Sequence, residues 1–217
     1  DHVCVRLDTG GVRCWGRGNG GLGREQLVDW GTRPHHMGAG LRAVNLGTGR
    51  TAVDIFAGVS FNCAILDDKS LKCWGGFGGV VLGYGDTKNR GDTEETLGDE
   101  LPVIDLGTGR TAVSVSIGLH ACAILDDGSV KCWGKNDEGQ LGVGDTDARG
   151  DDPDEMGDRL PVVDLGTGRT AVDIAAGYTG QSCAILDDAS VKCWGSNDMG
   201  QLGIPTDYDG NGMGDDL

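Results

Sequence analysis

One stretch decides the fold: Cys122-Ala-Ile-Leu-Asp-Asp-Gly-Ser-Val-Lys-Cys132-Trp133-Gly134. Close copies stand at 63–75 and 183–195, and a more divergent copy at 4–16. In every copy two cysteines lie ten positions apart, with an Asp-Asp-x-Ser or Asp-Thr-Gly-Gly turn between them. Two short strand-forming segments around such a turn are typical of a β-hairpin. The sequence therefore predicts four hairpins.

The two cysteines of each hairpin are predicted to form a disulfide. Placing the turn at the centre of the hairpin puts Cys122 directly opposite Cys132. Opposed residues of an antiparallel pair are close enough for a disulfide after a small adjustment. A zinc site would use closely spaced Cys-x-x-Cys pairs, and none occurs. We expect the disulfides Cys4–Cys14, Cys63–Cys73, Cys122–Cys132 and Cys183–Cys193.

A Trp-Gly pair follows the second cysteine in all four copies. Four of the five tryptophans therefore occupy one repeated position: Trp15, Trp74, Trp133 and Trp194. A tryptophan that recurs with the repeat is more often a packing anchor than a ligand platform. We expect these side chains to pack between neighbouring units.

The charge balance narrows the possible partners. The chain has 217 residues and a net charge of −16, from 18 basic and 34 acidic side chains. Such a surface repels phosphate backbones and anionic lipid headgroups, so we expect no nucleic-acid partner. We also expect no direct membrane insertion, because no stretch approaches the roughly 20 apolar residues of a membrane-spanning helix. The paired cysteines indicate an oxidising compartment, which is extracellular, at the cell surface or in another lumen of the secretory route.

The copies recur with a regular period. Successive second cysteines are separated by 59, 59 and 61 residues, which marks a repeat architecture. Within a period, Pro161–Leu165 and Thr170–Ala176 are predicted to be two strands before the hairpin. Four antiparallel strands per unit are typical of a propeller blade. The predicted units cover approximately 1–40, 41–100, 101–159 and 160–217.

The segment after each hairpin resembles a known repeat. Trp-Gly-x-Asn-x-x-Gly-Gln-Leu-Gly stands at 133–142 and at 194–203, with degraded copies at 74–83 and 15–23. This pattern is similar to the repeat of the RCC1 (regulator of chromosome condensation) family. The resemblance covers nearly the whole chain and implies an all-β propeller, usually of seven blades.

Seven blades do not fit the four hairpins of this sequence. We therefore expect one domain over 1–217 that forms a partial propeller of about four blades, as a portion of a longer protein. A blade buries its faces only against its neighbours. The two terminal faces of a partial propeller should accordingly be unusually apolar.

Two loops are candidate calcium sites. The fourth loop contains Asp-x-Asp-x-Asn-Gly, the opening of a calcium-binding loop, and the third is dense in carboxylates. The candidate ligands are Asp207, Asp209, Asn211 and Asp215 in the fourth loop and Asp145, Asp147 and Asp151 in the third. Arg149, however, occupies a ligand position. A solvated acidic loop with its own exposed ion pairs is the alternative.

The loop of the first unit departs from its sisters. It lacks the dense carboxylates and carries Arg24, Trp30, Arg33, His35, His36 and Met37. Tryptophan, arginine and histidine together are a composition favoured in protein–protein contacts. The alternative is that Trp30 and Met37 only pack the loop onto its own blade.

The resulting functional hypothesis is a non-enzymatic scaffold that binds a protein through its loops within a larger assembly, with calcium as the one candidate cofactor. No serine, cysteine or lysine has a recurring base beside it, so no catalytic residues are predicted. The alternative, which only the family resemblance implies, is a guanine-nucleotide exchange factor for a small GTPase. An exchange factor for a cytosolic GTPase would work in a reducing compartment, which disagrees with the cysteine pairs.

Overall fold

A computed structural model describes residues 2–18, 21–24, 28–59, 61–76 and 81–204. The strands in these ranges are β1 (His2–Arg6), β2 (Val12–Gly16), β3 (Ala52–Ala57), β4 (Phe61–Leu66), β5 (Leu71–Gly75), β6 (Ala112–Ile117), β7 (His120–Leu125), β8 (Val130–Gly134), β9 (Ala171–Ala176), β10 (Gln181–Leu186) and β11 (Val191–Gly195). Short 3-10 turns occupy Pro34–His36, Gly38–Gly40, Glu94–Thr96, Gly98–Glu100 and Gly157–Arg159. Within these ranges no helix is long and apolar enough to cross a membrane.

The strands form four antiparallel sheets, one for each predicted hairpin. The first unit contributes β1–β2, and the next three units contribute β3–β4–β5, β6–β7–β8 and β9–β10–β11. The first strand of the last sheet, β9 (Ala171–Ala176), begins one residue after the predicted start at Thr170. The all-β architecture of four repeated units is thus confirmed.

The hairpin register follows the cysteines. Cys122 lies opposite Cys132, with Ile124 opposite Val130, and the same register recurs in the other three units. All eight cysteines are paired within their own hairpins, which confirms the disulfides Cys4–Cys14, Cys63–Cys73, Cys122–Cys132 and Cys183–Cys193. Every hairpin therefore carries one covalent link between its strands.

The Asp-Asp-x-Ser sequence of the hairpin makes its turn. The Asp127 carboxylate accepts hydrogen bonds from the backbone N–H (3.0 Å) and the hydroxyl (2.6 Å) of Ser129. The residue between them, Gly128, has φ 79°, the left-handed region that a tight turn requires. The aspartate side chain thus adds to the backbone bond of the turn, from the Gly128 N–H to Leu125 O at 2.9 Å.

The segment predicted as the first strand of each unit differs from the prediction. Pro161–Leu165 is not a regular strand, and Val163 alone donates a backbone hydrogen bond from it, to Val130 O of β8 at 2.8 Å. Val44 makes the same single bond to Val12 O at 2.8 Å in the segment where Arg42 replaces the proline, so the missing ladder does not depend on the proline. Because this bond reaches the preceding hairpin, the segment lies along the outer edge of the preceding unit's sheet. The alternating apolar pattern is explained by burial, with Val163 buried and Val162 exposed.

The hydrophobic core is divided into layers between consecutive sheets. Cys122, Ile124 and Val130 of one unit pack on a set from the next unit that includes Ile174, Leu186 and Trp194. Equivalent layers lie at the two preceding interfaces. The two middle sheets therefore bury one face on the unit before them and the other on the unit after them.

The repeated tryptophans anchor these interfaces as predicted. Trp74 and Trp133 are fully buried. The indole N–H of Trp133 donates to Leu82 O of the preceding unit (3.1 Å), and that of Trp194 donates to Gln140 O (3.0 Å). Trp133 and Trp194 thus combine a buried indole with a hydrogen bond to the preceding unit, whereas the Trp74 indole is buried without a hydrogen-bond partner among the described residues.

Candidate interaction loop of the first unit

The long loops that follow the hairpins share one backbone anchor. Trp30 exchanges two hydrogen bonds with Gly16, at 2.8 and 2.9 Å. Arg90 and Arg149 are bridged in the same way to Gly75 and Gly134. Trp30 therefore stands at the loop position that arginine occupies in the two following units.

In the following units this arginine is neutralised inside its own loop. Arg90 binds Asp86 through two hydrogen bonds of 2.7 and 2.9 Å, and Arg149 binds Asp145 at 2.6 Å. The guanidinium of Arg90 also lies over the Tyr84 ring, 4.4 Å from its centroid. The hydrogen bond from Arg90 holds the pKa of Asp86 below the ordinary value for a carboxyl. These loops are internally compensated ion pairs.

Compared with the second loop, the first loop has its cation and its aromatic ring at exchanged positions. Arg24 aligns with Tyr84, and its guanidinium lies 4.7 Å from the centroid of the Trp30 ring. The Arg24 side chain is only 6% exposed and donates to Arg42 O at 2.6 Å. Burial lowers the pKa of Arg24. The cation–π pair is retained, although no described carboxylate is paired with this guanidinium.

His36 completes the stack. Its ring centroid lies 4.7 Å from that of Trp30, and its Nδ1 lies 3.4 Å from Thr32 Oγ1. His36 is buried, which lowers its pKa, and the nearby charges of His35 and Arg33 lower it further. The predicted residues Arg24, Trp30 and His36 therefore come together as a packed stack.

The other predicted contact residues face solvent. Arg33, His35 and Met37 are exposed, and the ring of His35 meets that of His36 edge-on at 4.7 Å. The loop thus has a packed inner side and an exposed outer side. The inner side agrees with the packing hypothesis for Trp30, whereas the outer side leaves three residues of the proposed contact accessible.

The end of the first loop is also held differently. In the third unit the Asp158 carboxylate accepts bonds from the Thr108 N–H and hydroxyl, at 2.8 and 2.6 Å, which lower the pKa of Asp158. Ala39 occupies the corresponding position of the first loop. Arg13 donates to Gly38 O at 2.8 Å, just as Lys72 and Lys131 donate to Gly98 O and Gly157 O, so of these two contacts the first loop keeps only the shared one.

The first unit differs from the rest in charge. Residues 1–40 contain five arginines and four acidic residues, whereas 41–217 contain 13 basic and 30 acidic residues. The chain therefore combines one weakly basic unit with a strongly acidic remainder. An acidic partner is repelled by most of this surface and least by the first unit.

One relevant residue, Arg42, was missed in the sequence analysis. Its carbonyl holds Arg24, and its own guanidinium lies 3.5 Å from Glu94 of the next loop. The sequence does contain a signal for this residue, because Arg42 stands where the other units have a proline, at 102 and 161, after the repeated leucine.

The candidate calcium residues are only partly within the described chain. Asp145 is bound by Arg149, and its carboxylate also accepts from the Asp147 N–H at 3.0 Å. One oxygen of the half-buried Asp151 carboxyl has no partner, and burial raises its pKa. Within the described ranges no three His, Cys, Asp or Glu residues are grouped to hold a metal ion. Asp207, Asp209, Asn211 and Asp215 lie outside those ranges, so calcium binding stays a prediction.

The described residues contain one buried histidine–serine pair, which is sealed from solvent. His120 and Ser182 are fully buried, with His120 Nε2 2.6 Å from Ser182 Oγ. The serine hydroxyl donates to Gln140 O at 2.8 Å. The burial leaves no access for a substrate, so His120 is structural.

A cavity of about 370 Å³ adjoins Gly142, Val143 and Trp194. The corresponding space of the preceding interface, between Gly83 and Trp133, holds Met156. The loop that corresponds to Met156 lies beyond residue 204, outside the described chain. This cavity is therefore not a candidate site.

Comparison with protein families identifies the repeat. Models described as the regulator of chromosome condensation (RCC1) repeat match residues 111–140, 171–201 and 127–184. Protein RCC2 of Mus musculus is 34% identical over 100 residues, covering 46% of this chain and 18% of RCC2. E3 ubiquitin-protein ligase HERC2 of Homo sapiens is 29% identical over 213 residues, covering 95% of this chain and 4% of HERC2. The chain thus spans only a small part of these relatives.

Solved structures agree with the fold. The structure of yeast RCC1 (Prp20) superposes with a TM-score of 0.66 at 19% identity, over 98% of this chain and 45% of Prp20. At this level of identity the similarity concerns the fold alone.

Proposed function

Since this chain is an RCC1-like repeat protein, we propose that it is a non-enzymatic scaffold that binds a protein partner through the loop of its first unit. The observation that carries the proposal is the difference between the loops. The second and third loops pair arginine with aspartate internally, whereas the first exposes Arg33, His35 and Met37 above a rigid stack. Loops on a rigid scaffold are where binding residues concentrate.

The solved relatives support a protein partner. Yeast RCC1 (Prp20) was crystallised with Kap60 bound, and its binding to Gsp1p and histones has been described. The partner of this chain is expected to differ, because the strongly acidic units leave the first loop as the favourable surface for an acidic protein.

We propose an oxidising compartment as the working environment, either extracellular, at the cell surface or in another lumen. All eight cysteines are paired in hairpin disulfides, and such bonds persist where thiols are not kept reduced. A cytosolic role would expose four hairpins to reduction.

Site-specific photo-crosslinking tests the interaction loop. A photo-reactive residue at His35 is compared with the same residue at Glu95, which is also exposed at the middle of a 3-10 turn in the sister loop. In material from the native source we expect a discrete protein adduct from position 35 and none from position 95. Equal adducts from both positions, or none from either, contradict the proposal.

A second candidate function is nucleotide exchange on a small GTPase. It is supported by the fold shared with Prp20, which is reported to bind Gsp1p. The test is release of a fluorescent guanine nucleotide from a small GTPase of the source organism. Faster nucleotide release in the presence of the chain would favour this function over the scaffold if a crosslinking group at His35 leaves the release rate unchanged.

Calcium at the fourth loop is a further proposal. It is supported by the spacing of Asp207, Asp209 and Asn211, which matches a calcium loop. Calorimetric titration is expected to give a saturable heat that the double variant Asp207→Asn and Asp209→Asn lacks. Absence of heat at about millimolar calcium, the weak end of such sites, would remove the proposal.

A further inference from the structure

A small cavity lies behind the first loop. Its volume is about 190 Å³, and it is lined by Gly23, Arg24, Arg42, Ala43, Asn45 and Glu94. This volume is below that of sites for drug-sized ligands, so it admits a single functional group rather than a nucleotide or cofactor. Two of its lining side chains are guanidiniums, which favours an anionic group.

Arg24 is the unusual residue of this cavity. The arginines of the sister loops, Arg90 and Arg149, are each ion-paired to an aspartate and are only half-buried. Arg24 is buried, its guanidinium donates to a carbonyl, and its Nε has no partner in the described part of the chain. Burial lowers the pKa of Arg24 and the charge of Glu94 opposes this shift, but among the described residues no carboxylate forms an ion pair with it. A buried charge without a directly bonded counter-ion is costly.

The one carboxylate at the cavity is loosely held. Glu94 Oε1 lies 3.5 Å from the guanidinium of Arg42, and the two side chains are 66% and 76% exposed. An exposed pair at this distance contributes little to stability. Glu94 therefore leaves room at the cavity for a second carboxylate to compete with it.

We propose that this cavity binds a carboxylate of the protein partner, held between Arg24 and Arg42. The carboxylate is either an Asp or Glu side chain or the C-terminal group of the partner. The site refines the proposed function, because it adds a specific chemical anchor behind the exposed residues Arg33 and His35. It also explains why the first loop lacks the internal aspartate that its sisters have.

Side-chain NMR of the arginines tests this site with three small probes. N-acetyl-glutamate amide presents a side-chain carboxylate, N-acetyl-alanine a terminal carboxylate, and N-acetyl-glutamine amide is the neutral control. We expect a saturable shift of the Arg24 Nε–H resonance with a carboxylate probe and none with the neutral probe. The tighter of the two carboxylates identifies the source. Absence of a saturable shift at about 100 mM of either carboxylate overturns the proposal.

Variants assign the binding to the cavity. Arg42→Gln keeps the backbone carbonyl that holds Arg24 and is expected to weaken the probe about fivefold or more. Glu94→Gln removes the competing carboxylate and is expected to tighten the probe. Arg33→Gln is the matched control, since Arg33 is exposed in the same loop and does not line the cavity. Equal effects of Arg33→Gln and Arg42→Gln, or no effect of Arg42→Gln, contradict the proposal.

The probe titration and the crosslinking experiment can fail independently of each other. Probe binding without an adduct at position 35 retains the carboxylate site and removes the loop as a partner surface. An adduct at position 35 without probe binding retains the partner surface and removes the carboxylate site.

Discussion

At Gly118 two neighbouring sheets approach more closely than a side chain allows. A Cβ atom at this position would lie 2.2 Å from Gly177 O in the next unit. Both residues belong to the turns between the first and second strands of their sheets. Glycine is required here by contact between two backbones and not by a positive φ.

We predict that Gly118→Ala destabilises the chain by about 1–3 kcal/mol, because the two sheets must separate to admit the methyl group. Gly11→Ala is the control, since its Cβ would meet only side-chain atoms at 3.7 Å or more. The control is expected to be neutral or slightly stabilising. Urea unfolding of both variants measures the difference, and equal free energies of unfolding would contradict the contact.

Arg24 and Trp30 show what a repeat alignment conveys at single residues. Aligning Leu22-Gly-Arg24 with Leu82-Gly-Tyr84 reveals that the first two units each have one cation and one aromatic residue at two loop positions, with the order reversed. Both residues of the first loop were predicted from the sequence as contact residues, but their stacking was not. Their contact depends on the bridge between Gly16 and Trp30, which no local pattern indicates.

Neighbouring sheets meet near the start of the first hairpin strand. This contact is polar at the last described interface and apolar at the interface before it. His120 of β7 bonds Ser182 of β10, whereas Phe61 and Ala121 occupy the same positions at the preceding interface. Burial lowers the pKa of His120 to about 4, from 6.5. The unfolded chain therefore binds this proton at a higher pH than the folded chain.

The contribution of His120 is complete above its unfolded pKa of 6.5 and is lost as the pH falls toward 4. We predict a loss of about 2 kcal/mol from this site between about pH 7 and about pH 4.5. The double variant His120→Phe and Ser182→Ala, which copies the preceding interface, should lose that much less stability over this interval. Chemical denaturation at both pH values measures this, and an unchanged pH dependence would contradict the assignment.

The hairpins were predictable because two constraints agree there. The alternation of side chains fixes which face each residue occupies, and opposed cysteines fix the register. The segment Pro161–Leu165 satisfied the alternation as well, and it was assigned to a strand. Its single bond to Val130 shows that burial alone can produce the pattern. Sequence periodicity reports which residues are buried, whereas a strand also needs a partner for its backbone.

Over the whole molecule, stability comes from contacts between consecutive units. Ile124 is 3% exposed beneath the next sheet, whereas Ile185, at the same position of the last described sheet, is 42% exposed. Val130 and Val191 show the same contrast. In a linear array of units a residue contributes through the neighbour that covers it.

We predict that Ile124→Asp destabilises the chain by about 3 kcal/mol or more, because it buries an unpaired charge between two units. Ile185→Asp, with the same chemistry in the same strand position, is expected to cost about 1 kcal/mol or less. Thermal unfolding compares the two. Similar losses would show that the sheets do not depend on their neighbours in this way.

The fold and the pairing of cysteines followed from the sequence because they repeat. The proposed partner loop was located from the sequence because it departs from the repeat, but its cavity was not. Arg42 in place of proline and Ala39 in place of aspartate were visible in the alignment. Their consequence, a cavity with two guanidiniums, required the packing of Glu94 from the next loop.

The molecule is a row of equivalent sheets, each closed by its own disulfide, and its proposed environment is oxidising. Peptide mapping without reduction, on natural material alkylated before extraction, measures both. We expect four cross-linked peptides, each joining the two cysteines of one hairpin, with all eight thiols protected from alkylation. Alkylated cysteines, or bonds between different hairpins, would contradict it.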